Sequence, residues 1–205
     1  VEATVPAVEE GRGSEPDVTG YDVDTAKVEK LLGGEVPFYE PGLGELVTEG
    51  HDADRLRYTA DLPQALVGAE VAFVCVGTPP LPGGGPDLSY VEAVGSAVAE
   101  HATGDLVLVE KSTVPANTGR RLVQAIAREQ HRNGNDRAID VASNPEFLKE
   151  GSAVQDTLHP DRIVYGTSSE RAREALREVY RVVAQEDGCP VVETDLASAE
   201  LIKHA

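Results

Sequence analysis

The six-residue apolar run VAFVCV at residues 71–76 constrains this chain more than any other feature. It has the length of a strand and no polar alternation. Such a run suits a strand covered on both faces, the situation inside a parallel sheet flanked by helices. LVLV at 106–109 repeats the pattern, and shorter strand-like segments stand at 17–22, 56–58, 139–142, 163–165 and 191–192. Helical patterns lie between them at 24–32, 43–49, 61–67, 88–102, 115–129 and 170–184, and another opens at 197–205. In 24–32, Val28, Leu31 and Leu32 share a face and Gly33-Gly34 stops the helix. In 88–102, Val91, Val94 and Val98 recur at spacings of three and four. Strands alternating with helices predict an α/β fold, a doubly wound parallel sheet with right-handed crossovers.

Residues 1–16 carry Gly11, Gly13 and Pro16 without periodicity and read as an irregular segment. The first strand of such a sheet, with the glycine-rich loop after it, is therefore expected to be missing. Gly11-Arg12-Gly13 does not qualify as that loop, because no apolar strand precedes it and no helix follows. A sheet without its first strand exposes unpaired backbone, so the chain should aggregate unless residues 1–16 replace that strand.

Acids outnumber bases 36 to 18, for a net charge of −18. That balance repels phosphates and anionic headgroups, which excludes nucleic acid and anionic membranes as partners. Five lysines in an acidic chain suit either a high-salt organism or an ordinary acidic protein from a GC-rich genome. Cys75 and Cys189 are too few for a disulfide framework and read as thiols in a reducing cytoplasm. No apolar run approaches the roughly 20 residues that a membrane helix requires.

In doubly wound sheets, ligands bind beyond the carboxyl ends of the strands. Four loops are thereby singled out. Asp22 closes the 17–22 strand; its carboxylate can accept from adenosine ribose hydroxyls, favouring NAD over NADP, or it can cap the next helix, a role Asp24 fills equally well. Val76-Gly77-Thr78-Pro79-Pro80 leaves the apolar run and forms either a cofactor-cleft wall or a rigid turn. In Glu110-Lys111-Ser112-Thr113-Val114-Pro115, either Ser112 or Thr113 caps the helix opening at Pro115 or hydrogen-bonds a substrate. The segment 143–151, SNPEFLKEG, is either substrate-binding or an exposed acidic loop, and Glu146 becomes a general base if partly desolvated. No metal site is read from the sequence.

Taken together, these loops resemble the UDP-glucose/GDP-mannose dehydrogenase family. The strings that carry the resemblance are VPFYEPGL (36–43), VGTPP (76–80), DLSYVEA (87–93), EKSTVP (110–115), SNPEFLKEGSAV (143–154), HPDRIVYG (159–166) and SAELIKHA (198–205), in the family's order and spacing from about residue 17 onward. The NPEFLKEGSAV and EKSTVP forms look closer to the UDP-glucose branch than to the UDP-N-acetylmannosamine branch.

The resemblance implies a Rossmann-like domain, with NAD as cofactor and UDP-glucose as substrate. It also implies oxidation of the sugar C6 alcohol in two steps, through a cysteine thioester, to UDP-glucuronate. Asp22 would bind ribose and Lys27 would lie near the adenosine. Val76, Thr78, Pro79 and Ser112 would line the NAD cleft, with Glu150 at the nicotinamide end. Thr113 would position the hydrolytic water and Glu146 would be the acid/base group. Phe147, Leu148 and Lys149 would contact the UDP-sugar with Glu146, and Lys203 would bind substrate and stabilise oxyanions. The family is cytoplasmic and dimeric or larger, and serves glucuronate-containing polysaccharide or glycan synthesis.

The sequence departs from the family's pattern: the Asn expected one helical turn after Lys203 and the UDP-binding domain are absent, and residues 1–16 are unrelated. The family's nucleophilic cysteine lies in a Gly-Gly-x-Cys segment, and neither Cys75 nor Cys189 has those neighbours. The expected organisation is an unmatched segment at 1–16, an incomplete NAD-binding domain at 17–195, and the start of a central helix at 196–205, truncated at both ends. The chain itself is then expected to be inactive alone. The alternatives are a folded non-catalytic fragment or pseudoenzyme, or a GDP-mannose or UDP-N-acetylmannosamine dehydrogenase. A 6-phosphogluconate-type dehydrogenase would carry none of the seven strings.

Overall fold

The computed structural model describes residues 2–7, 16–186 and 188–204 of the 205-residue chain. The chain runs through β1 (Glu2–Ala7), β2 (Asp17–Asp22), α1 (Thr25–Leu32), α2 (Leu43–Asp52), β3 (Leu56–Thr59), α3 (Leu62–Ala65) and β4 (Val71–Val74). It continues through α4 (Ser89–His101), β5 (Leu106–Glu110), α5 (Thr118–Asn133), β6 (Ile139–Ser143), α6 (Ala153–Leu158) and β7 (Ile163–Thr167). It ends with α7 (Glu170–Val179), α8 (Arg181–Glu186), β8 (Val191–Thr194) and α9 (Leu196–Ile202). The expected α/β alternation is present, with α6 unforeseen and the 170–184 helix divided at Tyr180.

All eight strands form one sheet in the order β3-β2-β1-β4-β5-β6-β7-β8. The pairs β2–β3, β4–β5, β5–β6 and β7–β8 are parallel. Two expectations are corrected. Residues 1–16 are not irregular throughout: β1 fills the slot between β2 and β4, antiparallel to both. A gap between two strands leaves two rows of unpaired backbone groups, and a strand of either direction satisfies them. The sheet is also not wholly parallel, because β7 runs antiparallel to β6. The 144–162 excursion leaves and re-enters the sheet at one edge, so no crossover is required.

Alternation along the central strands divides the core between the two faces. Ala72, Val74, Leu106 and Leu108 pack under α3, α4 and α5, with Leu66, Val91, Val98 and Leu122. Val71, Phe73, Val107, Val109 and Tyr165 pack under α7, with Ala172 and Leu176. This two-sided cover is what the VAFVCV and LVLV runs predicted. The last helix, α9, lies close against β7: a Cβ built on Gly166 would stand 2.2 Å from the Asp195 carbonyl oxygen. That close approach sets the position of every residue α9 carries.

Candidate functional site

The carboxyl ends of β2, β4, β5 and β6 share one edge of the sheet. β1 is reversed, so Glu2 stands opposite Asp22 and Ala7 opposite Asp17. The carboxyl end of β1 therefore lies at the opposite edge. Gly11 and Gly13 fall in residues 8–15, outside the described residues.

At the end of β2, the Asp24 side chain caps α1 by accepting from the Ala26 and Lys27 amides. Asp22 is thereby spared the capping role. Its carboxylate accepts from the Asp24 amide at 2.9 Å and from Lys27 Nζ at 2.7 Å. Burial raises its pKa, but the hydrogen bonds from Lys27 and the Asp24 amide outweigh that and hold the carboxyl below its ordinary value. The pair borders a cavity of about 260 Å³ walled by Val28, Leu31, Phe38 and Tyr58.

The β4 and β5 loops are joined directly. Val76 is buried. The Thr78 hydroxyl donates to the Thr113 carbonyl at 3.0 Å. Pro79 is exposed, and its carbonyl accepts from the Asp87 amide. Ser112 donates its hydroxyl to the Val74 carbonyl and its amide to Glu110 Oε1 at 2.8 Å. Neither Ser112 nor Thr113 caps a helix, because α5 begins only at Thr118, after Asn117 in the left-handed region (φ 74°).

The β6 loop carries the densest cluster. Lys203 Nζ, from the end of α9, donates to Glu146 Oε1 at 3.0 Å and to the Glu146 carbonyl. The Thr113 hydroxyl lies 3.5 Å from the same Oε1, at the long limit of a hydrogen bond. The Leu148 amide donates to Glu146 Oε2 at 2.8 Å. Desolvation raises the Glu146 pKa, yet the Leu148 amide and the Lys203 ammonium prevail and hold it below its ordinary value. The Phe147 ring has the Arg162 guanidinium 4.2 Å from its centroid and Lys203 Nζ at 5.3 Å.

Thr78, Thr113, Glu146 and Lys203 therefore form one connected group at the strand-end edge. Phe147 and Leu148 adjoin it. Lys149 turns toward Asp156, which takes its amide at 2.9 Å and lies 3.6 Å from its ammonium. Glu150 is exposed in the turn before α6 and makes no side-chain hydrogen bond among the described residues.

Several supporting residues escaped the sequence reading. Glu40, in the 36–43 string, reaches the β6 loop and accepts from the Gly151 and Ala153 amides at 3.0 and 2.7 Å. Asn144 is buried, donates to the Val164 carbonyl and accepts from Lys111 Nζ and from the Tyr180 hydroxyl. Glu110 and Glu200 are both buried. An acid closing an apolar run, as in LVLVE, was the available signal for Glu110. Glu40 and Glu200 had none, since their partners are remote in sequence.

The site fits part of a dinucleotide. Asp22 stands at the carboxyl end of β2, where an acid of a dinucleotide site is expected. The Gly77–Thr78 turn and Ser112 stand along the same edge. The pyrophosphate half is not matched among the described residues: no helix follows β1 at this edge, and the N-terminus of α5 is already occupied by Glu200, which accepts from the Asn117 and Gly119 amides. Among the described residues no cluster of three or more His, Cys, Asp or Glu side chains is arranged to hold a metal. No described helix is long and apolar enough to cross a membrane.

Comparison with known proteins places these observations in a family context. Residues 11–184 match the model of the UDP-glucose/GDP-mannose dehydrogenase family, NAD binding domain. The chain is 41% identical over 184 residues to the UDP-glucose 6-dehydrogenase TuaD of Bacillus subtilis, covering 90% of this chain and 38% of that protein. It is 43% identical over 192 residues to the UDP-glucose 6-dehydrogenase of Rhizobium meliloti, covering 92% and 43%. Among solved structures, a UDP-glucose dehydrogenase from Pyrobaculum islandicum superposes with a TM-score of 0.83 at 39% identity, over 91% of this chain and 42% of that one. A GDP-mannose dehydrogenase from Pseudomonas aeruginosa gives a TM-score of 0.83 at 32% identity, over 94% and 44%. The chain spans about two fifths of the length of these relatives.

Proposed function

The chain belongs to the UDP-glucose/GDP-mannose dehydrogenase family, and from that premise we propose that it is the NAD-binding portion of a UDP-glucose 6-dehydrogenase. The reaction is the NAD-dependent oxidation of UDP-glucose to UDP-glucuronate. The observation that carries the reading is the contact of Thr113, Glu146 and Lys203 at the strand-end edge, where three separate family strings meet.

Each group has a chemical part. When bound, NAD accepts the hydride removed from the sugar C6. Glu146 is ionised at neutral pH, so it can take a proton from an attacking water. Lys203, three residues past Glu200 at the end of α9, presents a fixed cation to an oxygen that gains negative charge. Thr113, within reach of the same carboxylate oxygen, orients that water. Asp22 receives ribose hydroxyls, and Phe147, Leu148 and Lys149 face the nucleotide sugar, with Glu150 toward the nicotinamide end. Cys189 is buried and donates to the Pro160 carbonyl, and Cys75 packs against the second apolar cluster. Neither joins the Glu146 group, so the isolated chain is not expected to turn over UDP-glucose.

The GDP-mannose dehydrogenase superposes equally well, so the nucleotide is the point to test. Saturation-transfer NMR of the chain with UDP-glucose, UDP-N-acetylmannosamine and GDP-mannose should give contacts from UDP-glucose that Lys203→Met and Phe147→Ala weaken. Preference for GDP-mannose would move the assignment to the other branch. Steady NADH production by the purified chain would overturn its inactivity.

A further inference from the structure

The connection from β5 to α5, residues 111–117, is tied at both ends to buried carboxyl groups. At its start, Glu110 has no exposed surface, and its Oε1 accepts from the Ser112 amide at 2.8 Å. At its end, Glu200 of α9 is 1% exposed and accepts from the Asn117 and Gly119 amides at 2.5 and 2.6 Å. The tie extends to the end of α9, where His204 Nε2 lies 3.0 Å from the Val114 carbonyl. Ser112 and Thr113 are suspended between these anchors.

The two anchors are unequally satisfied. Both Glu200 oxygens have amide donors at the amino end of α5. Glu110 Oε2 is buried without a hydrogen-bond partner among the described residues. An ionised carboxylate with one oxygen buried and undonated is costly, whereas a protonated carboxyl is cheaper to bury. Among charged neighbours, Lys111 on the same connection opposes protonation of Glu110 and Glu200 on α9 favours it. Burial is the larger influence; against the Ser112 hydrogen bonds and Lys111, it pushes the Glu110 pKa up to about 8.

We propose that Glu110 is a positioning residue, a neutral acid that holds the Ser112–Thr113 turn so that the Thr113 hydroxyl faces Glu146. Its importance to catalysis rests on the function proposed above, but its effect on geometry does not. Ser112 moves with the Glu110 carboxyl, because its amide is that carboxyl's donor. Thr113 moves with Ser112, and Thr78 and Glu146 are its two partners. Loss of the Glu110 proton is therefore transmitted to a hydrogen bond on Glu146 without disturbing the apolar core.

Carbon-detected NMR on this chain between pH 6 and 10 tests the inference without substrate or cofactor. The Glu110 side-chain carboxyl carbon should titrate with a midpoint near 8. The Ser112 and Thr113 carbonyl carbons and the Glu146 carboxyl carbon should shift with the same midpoint while core methyl signals stay still. Glu110→Gln, which keeps the shape of the neutral acid, should hold Ser112 and Thr113 at their low-pH positions throughout. A Glu110 midpoint in the ordinary carboxylate range overturns the proposal, as does a Ser112–Thr113 transition that survives in E110Q. Should E110Q fail to fold, the wild-type titration decides alone. Failure of UDP-glucose to bind would overturn the functional reading and leave this result untouched.

Discussion

Lys203 and Glu146 stand 57 residues apart in sequence, yet the ammonium is 3.0 Å from the carboxylate. The contact joins the last helix to the loop after β6 and brings the cation beside the acid that Thr113 also reaches. Because both side chains are partly buried, at 19% and 29% exposure, the pair is more than a surface ion pair and less than a sealed one.

Lys203→Met should raise the Glu146 pKa toward or above its ordinary value, read from the Glu146 carboxyl carbon. A carboxylate held below its unfolded pKa contributes stability above that pKa and loses it as pH falls through the folded one. The variant should therefore lose roughly 0.5–1 kcal/mol at pH 7. It should lose less near pH 3, below the unfolded value of 4.5. Urea denaturation at the two pH values checks the difference.

Glu110→Gln should stabilise the chain at neutral pH. Raised from 4.5 to about 8, the Glu110 acid contributes stability that is complete below pH 4.5 and lost as pH rises through about 8. The wild-type slope from this group is of order 1.4 kcal/mol per pH unit inside that window. Comparing urea midpoints of wild type and variant at pH 5, 6.5 and 8 should show a gap that widens with pH.

Gly166→Ala should cost about 1–3 kcal/mol, because its Cβ meets rigid backbone at Asp195 rather than a side chain that can move. The displacement falls on α9, so the Lys203–Glu146 contact should weaken with it. A variant as stable as wild type, with the Glu146 carbon unshifted, would contradict this account of the α9–β7 contact.

Glu40→Gln should loosen the turn at Gly151 and Ala153 while leaving the sheet intact, at a cost of about 1 kcal/mol. Hydrogen exchange should accelerate at those two amides and not in β5 or β6. Uniform protection in both proteins would show that the turn holds its shape unaided.

Asp22→Ala should weaken any binding of NAD or ADP-ribose by about tenfold, the value of one charged hydrogen bond. Calorimetry with both ligands checks it. Unchanged affinity would remove Asp22 from the ribose site.

Much of this was legible in the chain itself. VAFVCV and LVLV identified the central strands, since covering both faces requires an unbroken apolar run. Asp24 was visible as a cap beside Asp22, and Glu146, Thr113 and Lys203 stood out within the family strings. Less was legible where long-range contacts decide. Nothing local marks Glu40 as the partner of Gly151, or Glu200 as the cap of α5, because each acceptor lies far in sequence from its donors. The delayed start of α5 was missed for a related reason: Pro115 suits a first helical turn, but the chain first turns at 116–117, where Asn117 takes the left-handed region and gives its amide to the remote Glu200.

The sequence alone determined the α/β class, the positions of the strand ends and which residue types gather there, because period and run length are local consequences of burial. Only the tertiary structure decided the reversed β1, the antiparallel β7 and the meeting of Lys203 with Glu146. Strand direction depends on which backbone edge is left open and how a connection returns. An ion pair across 57 residues depends on where two separately folded elements come to rest.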